Sequence, residues 1–508
     1  MSLIETVSEI PEDIIEEMIS FLFNHGCIQP LSSNKRTITH IPIVITPTSI
    51  PKAFYDKIMF YQLAFNKLYS NLSEDYNYIK ETLFPLIKAD SHIDRHLKLL
   101  DKLNEHKDKA PISITVIRND YTIEKNNTFI YQTNYKTLNI SFAIYSDIME
   151  TFHIYFIKKY PNLYKSYTDN NNIILPLNNP AYHIKYIPST YDTIINTIKQ
   201  YYPSDNVIIF VISKDHLKRK INQCEIQFIE KYINETHNIN TKCMTIQDIE
   251  TNCVFNEENY TYTYQSKQIS LFYYFIEFDS NEFSSEKEWK IYEQIELSTS
   301  IKIPNLQSYL ITHPLFQYFI TKHEVASKYI KSEMLLNDLN RFYKVKMLFK
   351  EYDVQKQKEL VDIVTSNLNK YMIKSQMKGI NSVCTDENII TVIPSSTCEI
   401  SDELANTVVE DKISLNENKG ILLVNGKANQ VLIGSEYSVY GLIIKEGEKC
   451  LENKVVGFSV RSDEKKKIED NILEDNEYAI DYPCLVNIEM NNNNNNSDNT
   501  AQQNESSK

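Results

Sequence analysis

Between Gly26 and Gly379 the chain contains no glycine. Glycine lets backbone amides approach a phosphate closely and reaches positive φ without a Cβ clash, so this gap removes most ways of building a nucleotide loop. Any glycine-assisted phosphate site must lie between Gly379 and Gly457, where all but one of the eight glycines fall. Neither Gly-x-x-x-x-Gly-Lys-Ser/Thr nor Gly-x-Gly-x-x-Gly occurs, which excludes a P-loop and a dinucleotide-binding turn. Gly-x-Ser-x-Gly is absent too, so a hydrolase nucleophile elbow has no candidate.

A chain of 508 residues exceeds what one hydrophobic core usually covers and points to two or three domains. The balance of 53 Lys plus Arg against 67 Asp plus Glu gives a net charge of −14, which opposes binding to a phosphate backbone. Nucleic acid is therefore not an expected partner. The eight cysteines form no Cys-x-x-Cys pair, so neither a zinc ribbon nor a disulfide framework is indicated. Glu5, Glu9, Glu12 and Asp13 precede any apolar run, contrary to a signal peptide, and no stretch approaches 18 uncharged apolar residues. A cytoplasmic chain with no membrane partner is expected.

Pro11, Glu12 and Asp13 open a helix over 11–25 that Gly26 can stop, with Pro11 suited to the first helical position. Apolar periodicity predicts further helices over 52–72, 75–87 and 91–105, and strands over 112–117 and 129–131. The run Val207–Ile212 is continuously apolar and β-rich, the pattern of a strand buried on both faces of a parallel sheet. With Ile269–Phe278 it frames a β-α-β unit. Residues 300–368 read as helical with breaks at Pro304 and Pro314, and strands dominate from Ile389 onward. Asn425-Gly426 between Ile421–Val424 and Gln430–Ile433 predicts a hairpin. The asparagine-rich end from Asn491 carries too few apolar groups to offset the entropy of ordering.

His92 and His96 stand four apart beside Asp90 and Asp94, a metal-like spacing better read as a solvated helix face. The basic run Lys214–Lys220 suits either an anion funnel or a plain solvated face. Tyr371–Lys374 reads as a strand that delivers a lysine ahead of the loop containing Gly379.

Taken in order, several segments resemble eukaryotic glutathione synthetase, an ATP-grasp ligase that joins γ-glutamylcysteine to glycine. Ile117-Arg118-Asn119-Asp120-Tyr121 is similar to the family's Asn-Arg-Ser-Asp-Tyr segment, and Leu138-Asn139-Ile140-Ser141-Phe142 to its Ser-x-Ser-Phe stretch. Tyr371 to Asn381 resembles Phe-Val-Leu-Lys-Pro-Gln-Arg-Glu-Gly-Gly-Gly-Asn-Asn, and Glu410–Ile413 resembles Met-Glu-Lys-Ile. Gly434–Tyr437 with Gly441, and Asn453 to Arg461, are similar to two further strands of that family.

The resemblance implies a mixed α/β fold of ATP-grasp architecture with an inserted parallel-sheet substrate-binding domain. Residues 1–204 and 311–485 would form the two parts of the body, 205–310 the insert, and 486–508 a disordered tail. It implies Arg461 as the catalytic residue, and Lys374, Gly379, Asn381, Lys412 and Glu436 as nucleotide ligands. Arg118, Asn139, Ser141 and Gln223 would hold the peptide substrate. ATP and Mg²⁺ are the implied cofactors, γ-glutamylcysteine and glycine the substrates, and a homodimer the assembly.

The departures fall on the metal ligands. Where the family has a Glu-x-Asn pair and a further glutamate, this chain has Asn134, Lys136 and Lys378, and no carboxylate lies between Glu124 and Asp147. Hard cations that bridge phosphates want carboxylate oxygens. The triple glycine has become Gly379-Ile380-Asn381. The expected function is a glutathione-synthetase-like protein with ligase activity lost or reduced. A working synthetase is the alternative, and a non-catalytic peptide- or anion-binding module the second alternative.

Overall fold

The computed structural model describes residues 10–31, 34–88, 90–106, 110–125, 128–138, 142–170, 172–174, 184–214, 222–276, 278, 282–344, 346–348, 351, 354–367, 370–374, 407–464 and 478–487. Its centre is a seven-stranded sheet in the order Glu417–Val424, Ile43–Val44, Ala479–Asp481, Lys449–Glu464, Lys427–Glu446, Ser113–Ile123, Ile130–Lys136. Pairing is antiparallel except between Ile43–Val44 and Ala479–Asp481. The predicted hairpin forms: Glu417–Val424 pairs with Lys427–Glu446, and Asn425 and Gly426 turn the chain at φ values of 48° and 79°. Positive φ at both central residues matches the right-handed twist of the strands they join.

The helix Lys52–Ser73 packs on this sheet and buries Phe54, Ile58, Phe65, Leu68 and Leu72. A chain of amides crosses the interface: Gln132 donates to Asn119 at 2.9 Å, Asn119 to Gln62 at 2.9 Å, and Gln62 to Asn66 at 2.9 Å. Buried polar groups are tolerated only when paired, so this chain fixes the register of helix on sheet. Gly441 lies directly beneath it. A Cβ there would stand 2.0 Å from the Asn66 Oδ1. Gly441→Ala is therefore expected to lower stability by about 1–3 kcal/mol, the usual cost of overpacking a filled core, as read from the urea midpoint at unchanged slope.

A second sheet carries the β-α-β region. Asn206–Ile212 sits between Asn240–Met244 and Lys267–Phe275 and runs parallel to both, and all seven of its residues are buried. Val207, Ile209 and Val211 enter one hydrophobic cluster, while Ile208, Phe210 and Ile212 enter another. This two-sided burial is what the unbroken apolar run predicts. A third, three-stranded sheet joins Lys346–Leu348, Val408–Asp411 and Tyr371–Lys374.

The early helices fall where periodicity places them: Glu12–Asn24, Lys52–Ser73, Tyr76–Leu83 with a 3₁₀ turn at Phe84–Leu86, and Ser91–Glu105. Asp75 and Asp90 cap two of them through backbone amides. Gly26 adopts φ 73°, as a helix stop requires. Pro11 is the N-cap, one residue before the position expected for it.

Two expectations are corrected. Residues 300–368 are not helical throughout: Ile301–Ile303 joins the parallel sheet beside Lys267–Phe275, and Lys346–Leu348 is a strand. A β-branched Ile-x-Ile segment at an open sheet edge gains more from pairing than from a helical turn. The break expected at Pro314 is present: the helix Leu306–Leu310 ends before it, and Pro314 begins the next, Pro314–Phe319, because its missing N–H is one of the orphan donors there. His96 is not on a solvated face. It is 2% exposed, ringed by Phe278, Trp289, Tyr292 and Tyr309, and burial drives its pKa down to about 3, so it packs as a neutral ring.

Residues 375–406, the whole Ser-x-Ser-like loop at 139–141, residues 215–221 of the basic run, and the asparagine-rich end lie outside the described residues. No helix among the described residues is long and apolar enough to cross a membrane.

Candidate functional site

Strand alternation decides which side chains share a face of the central sheet. Across the Ser113–Ile123 and Ile130–Lys136 pair, Arg118 stands opposite Lys136 and Asp120 opposite Asn134. On the other flank Arg118 faces Tyr440, Asp120 faces Ser438 and Thr122 faces Glu436, while Glu436 in turn faces Arg461. One face of four adjacent strands therefore carries Lys136, Arg118, Asp120, Glu436 and Arg461.

Arg118, Asp120, Glu436 and Arg461 pair with one another. Arg118 grips Asp120 through Nε at 2.9 Å and through a second nitrogen at 3.0 Å. Arg461 reaches the same carboxylate at 3.2 Å and also pairs with Glu436. Ser438 donates to Asp120 at 2.6 Å, and Thr133 donates to Glu436 at 2.9 Å. Arg118 and Asp120 are each 2% exposed and Arg461 is 8% exposed. Burial works to raise the Asp120 pKa, but the Arg118 and Arg461 guanidiniums and the Ser438 hydroxyl outweigh it and hold the carboxyl down to about 2. Asp120 stays ionised as the shared anion of two buried cations.

Arg461 also lies against two rings, with its guanidinium carbon 5.7 Å from the Phe142 centroid and 5.4 Å from that of Tyr478. Phe142 holds φ 76°, uncommon for a residue with a Cβ, immediately before the helix Ala143–Lys159. That helix start is capped from elsewhere in the chain. The Glu225 carboxylate, on the helix Asn222–Tyr232, accepts the Phe142 N–H at 3.4 Å.

The structure brings Arg118, Lys136, Glu436 and Arg461 together on this face. Asn134 is nearby, and its amide oxygen is engaged by Gln317 at 2.7 Å and by the Tyr135 N–H at 2.9 Å. Lys374 and Lys412 belong with the third sheet instead: Lys374 ends the strand Tyr371–Lys374 opposite Val408, and exposed Lys412 donates its backbone N–H to Lys370 at 2.7 Å. Gln223 lies in the first turn of Asn222–Tyr232. Asn139, Ser141, Lys378, Gly379 and Asn381 lie outside the described residues.

Asp120, Ser438, Thr133 and Glu225 were not among the residues singled out from sequence. Arg118 and Asp120 sit two apart in a strand, and that spacing was the available signal for the first of them. Glu225 offered none, because its partner lies 83 residues away.

Mg²⁺ does not fit the described positions. Asn134 contributes an amide oxygen already engaged by two donors, Lys136 contributes a cation, and no group of three His, Cys, Asp or Glu side chains converges among the described residues.

Comparison with known proteins agrees with this fold. A glutathione synthetase from Dictyostelium discoideum is 23% identical over 471 residues, covering 89% of this chain and 94% of its own. The large chain of glutathione synthetase from Schizosaccharomyces pombe is 21% identical over 497 residues, covering 92% and 96%. Among solved structures, the apo form of a glutathione synthetase-like effector from Globodera pallida superposes with a TM-score of 0.70 at 14% identity, covering 94% of this chain and 98% of that one. The family model for the ATP-binding domain of eukaryotic glutathione synthase matches residues 8–475, and the chain therefore belongs to the eukaryotic glutathione synthase family.

Proposed function

We propose that this chain is a glutathione-synthetase-like protein whose ligase activity is lost or much reduced, and which binds nucleotide through fixed cations in place of Mg²⁺. The observation that carries this reading is the pair Asn134 and Lys136, an amide and an ammonium on the sheet face where metal-binding groups are expected. An ammonium can compensate phosphate charge, but as a point charge it bridges two phosphate oxygens poorly.

In this reading Arg118 with Asn139, Ser141 and Gln223 faces a γ-glutamyl peptide. Lys374, Lys412, Glu436 and the segment Gly379 to Asn381 face ATP, and Arg461 stands where a reacting carboxyl would be held. Residues 205–310 supply the peptide-facing wall. A cytoplasmic homodimer is the assembly expected of such a family member.

ATP binding is testable by thermal unfolding. A ligand that binds only the folded state adds about 2.7 kcal/mol at a hundred times its Kd. ATP alone is expected to raise the unfolding temperature, and added Mg²⁺ is expected to give no further rise. A rise that appears only with Mg²⁺ would refute the fixed-cation reading.

A further inference from the structure

At the far end of the strand Ser113–Ile123 from Asp120, a cavity of about 370 Å³ opens between the helix Ser91–Glu105, the strand's first residue and the turn at Gly447. Ser113 and Asp120 are about 23 Å apart along the strand, at about 3.3 Å per residue. A smaller hollow of about 200 Å³ adjoins the cavity, and Ser113, Asn305 and Gln307 line both. Neither is lined by Lys136, Arg118, Asp120, Glu436 or Arg461. A cavity of this size takes a small ligand.

Among the described residues the charged lining is one cation and three carboxylates, Lys302 against Glu74, Glu296 and Glu448. Two of these four are already satisfied. Lys445 donates to both oxygens of Glu74 at 2.6 Å. Glu296 accepts the Leu306 N–H and the Tyr274 hydroxyl, each at 3.2 Å.

Lys302 and Glu448 are the other two. Lys302 is 9% exposed and donates one hydrogen bond, to the Ser298 carbonyl at 2.8 Å, yet it forms no ion pair among the described residues. Burial lowers its pKa to about 8 against the pull of Glu296, so at pH 7 it is still mainly an ammonium. A buried cation without a contacting counter-ion is costly, and a ligand carboxylate would supply one. Glu448 is exposed and has no hydrogen-bond or ion-pair partner among the described residues. At the cavity wall the buried His106 Nε2 also lacks a hydrogen-bond partner among them.

The two free charges have opposite signs, which selects the ligand. A simple anion would meet Lys302 but also Glu296 and Glu448, and a simple cation would meet the buried ammonium. A zwitterion answers both. Leu103, Ala110, Pro111 and Ile112 add an apolar wall to the same cavity.

We infer that this cavity is a binding site for a free α-amino acid with an apolar side chain, its carboxylate on Lys302 and its ammonium on Glu448. The site is separate from the nucleotide and peptide positions proposed above and does not rest on them.

Calorimetry on the full chain compares L-leucine with two relatives of one sign each: isocaproate, which lacks the ammonium, and isoamylamine, which lacks the carboxylate. L-leucine is expected to bind with a Kd below about 1 mM, and each relative at least about tenfold more weakly. Lys302→Met removes the buried charge at similar length, and Glu448→Gln removes the exposed one at constant shape. Each is expected to weaken L-leucine binding at least about tenfold. Glu448 lies in an exposed turn, so its variant tests the site even if Lys302→Met unfolds the chain. Lys136→Met, on the sheet face, is expected to leave L-leucine binding unchanged.

No binding of L-leucine up to about 10 mM overturns the inference, as does an affinity that moves less than about twofold in Glu448→Gln. Isocaproate binding within about twofold of L-leucine overturns it too, since the cavity would then be a plain anion site. Loss of L-leucine binding in Lys136→Met would place that ligand on the sheet face and refute the cavity as its site.

Discussion

Given ATP, Mg²⁺, γ-glutamylcysteine and glycine, the purified chain is expected to form tripeptide at least about a thousandfold more slowly than a glutathione synthetase assayed beside it. The size follows from the metal term. Mg²⁺ stabilises charge on a transferring phosphoryl group by several kcal/mol, and about 4 kcal/mol corresponds to a thousandfold in rate. In the reading proposed above, Asn134, Lys136 and Lys378 stand at the positions where the resemblance places the ligands behind that term. The triple variant Asn134→Glu, Lys136→Asn and Lys378→Glu installs the pattern that the resemblance implies. It is expected to make the ATP-induced rise in unfolding temperature depend on Mg²⁺, whether or not turnover returns. ADP release coupled to tripeptide formation measures the first effect. Turnover by the wild-type chain within tenfold of the reference enzyme would sink the degenerate-site reading.

The scarcity of glycine bears on packing as well as on phosphate binding. It confined a phosphate-covering loop to 379–457, of which 379–406 lies outside the described residues. Where the structure describes glycines, they serve turns and close packing instead: Gly26 stops a helix, Gly426 turns a hairpin, and Gly441 makes room for Asn66.

Regular elements with strong patterns were legible. The helix over 52–72 and the strand over 207–212 fall within a residue of their predicted ends, because both bury faces whose spacing is written in the sequence. The strand containing Arg118 was not fully legible. Its apolar half, Ile114 to Ile117, signals a strand, but the chain then continues as the polar Arg118-Asn119-Asp120, past the end predicted at 117. Tertiary structure overrides that reading, since Asp120 neutralises Arg118 and Arg461, and Asn119 is taken up by Gln62 and Gln132. The four residues of Lys136, Arg118, Glu436 and Arg461 come from strands separated by three hundred residues of chain, so only pairing register could place them side by side. Order of motifs identified the family, but it could not show that the charges compensate one another.

That compensation makes Asp120 the most sensitive position in the site. Asp120→Asn keeps the shape and leaves Arg118 and Arg461 facing a neutral amide that also offers N–H where an acceptor is needed. Breaking a buried pair while leaving its partner charged costs about 3–5 kcal/mol, a large share of the roughly 5–15 kcal/mol that keeps a domain folded. Asp120→Asn is therefore expected to lower the unfolding free energy by that amount, as read from the denaturant midpoint at unchanged slope. Adding Arg118→Met removes one of the stranded cations and is expected to recover at least about 1 kcal/mol, since the penalty lies in the unpaired charge. The pH dependence has a defined sign. With the folded-state carboxyl held at about 2 and an unfolded value of about 3.9, the Asp120 contribution is complete above roughly pH 5 and is lost as pH falls through 2. The Asp120→Asn chain lacks that titration, so its deficit relative to the wild type should narrow in acid. A deficit that is unchanged between pH 7 and pH 3, or a double variant no more stable than the single, would show that Asp120 acts through packing and not as the shared counter-ion of two arginines.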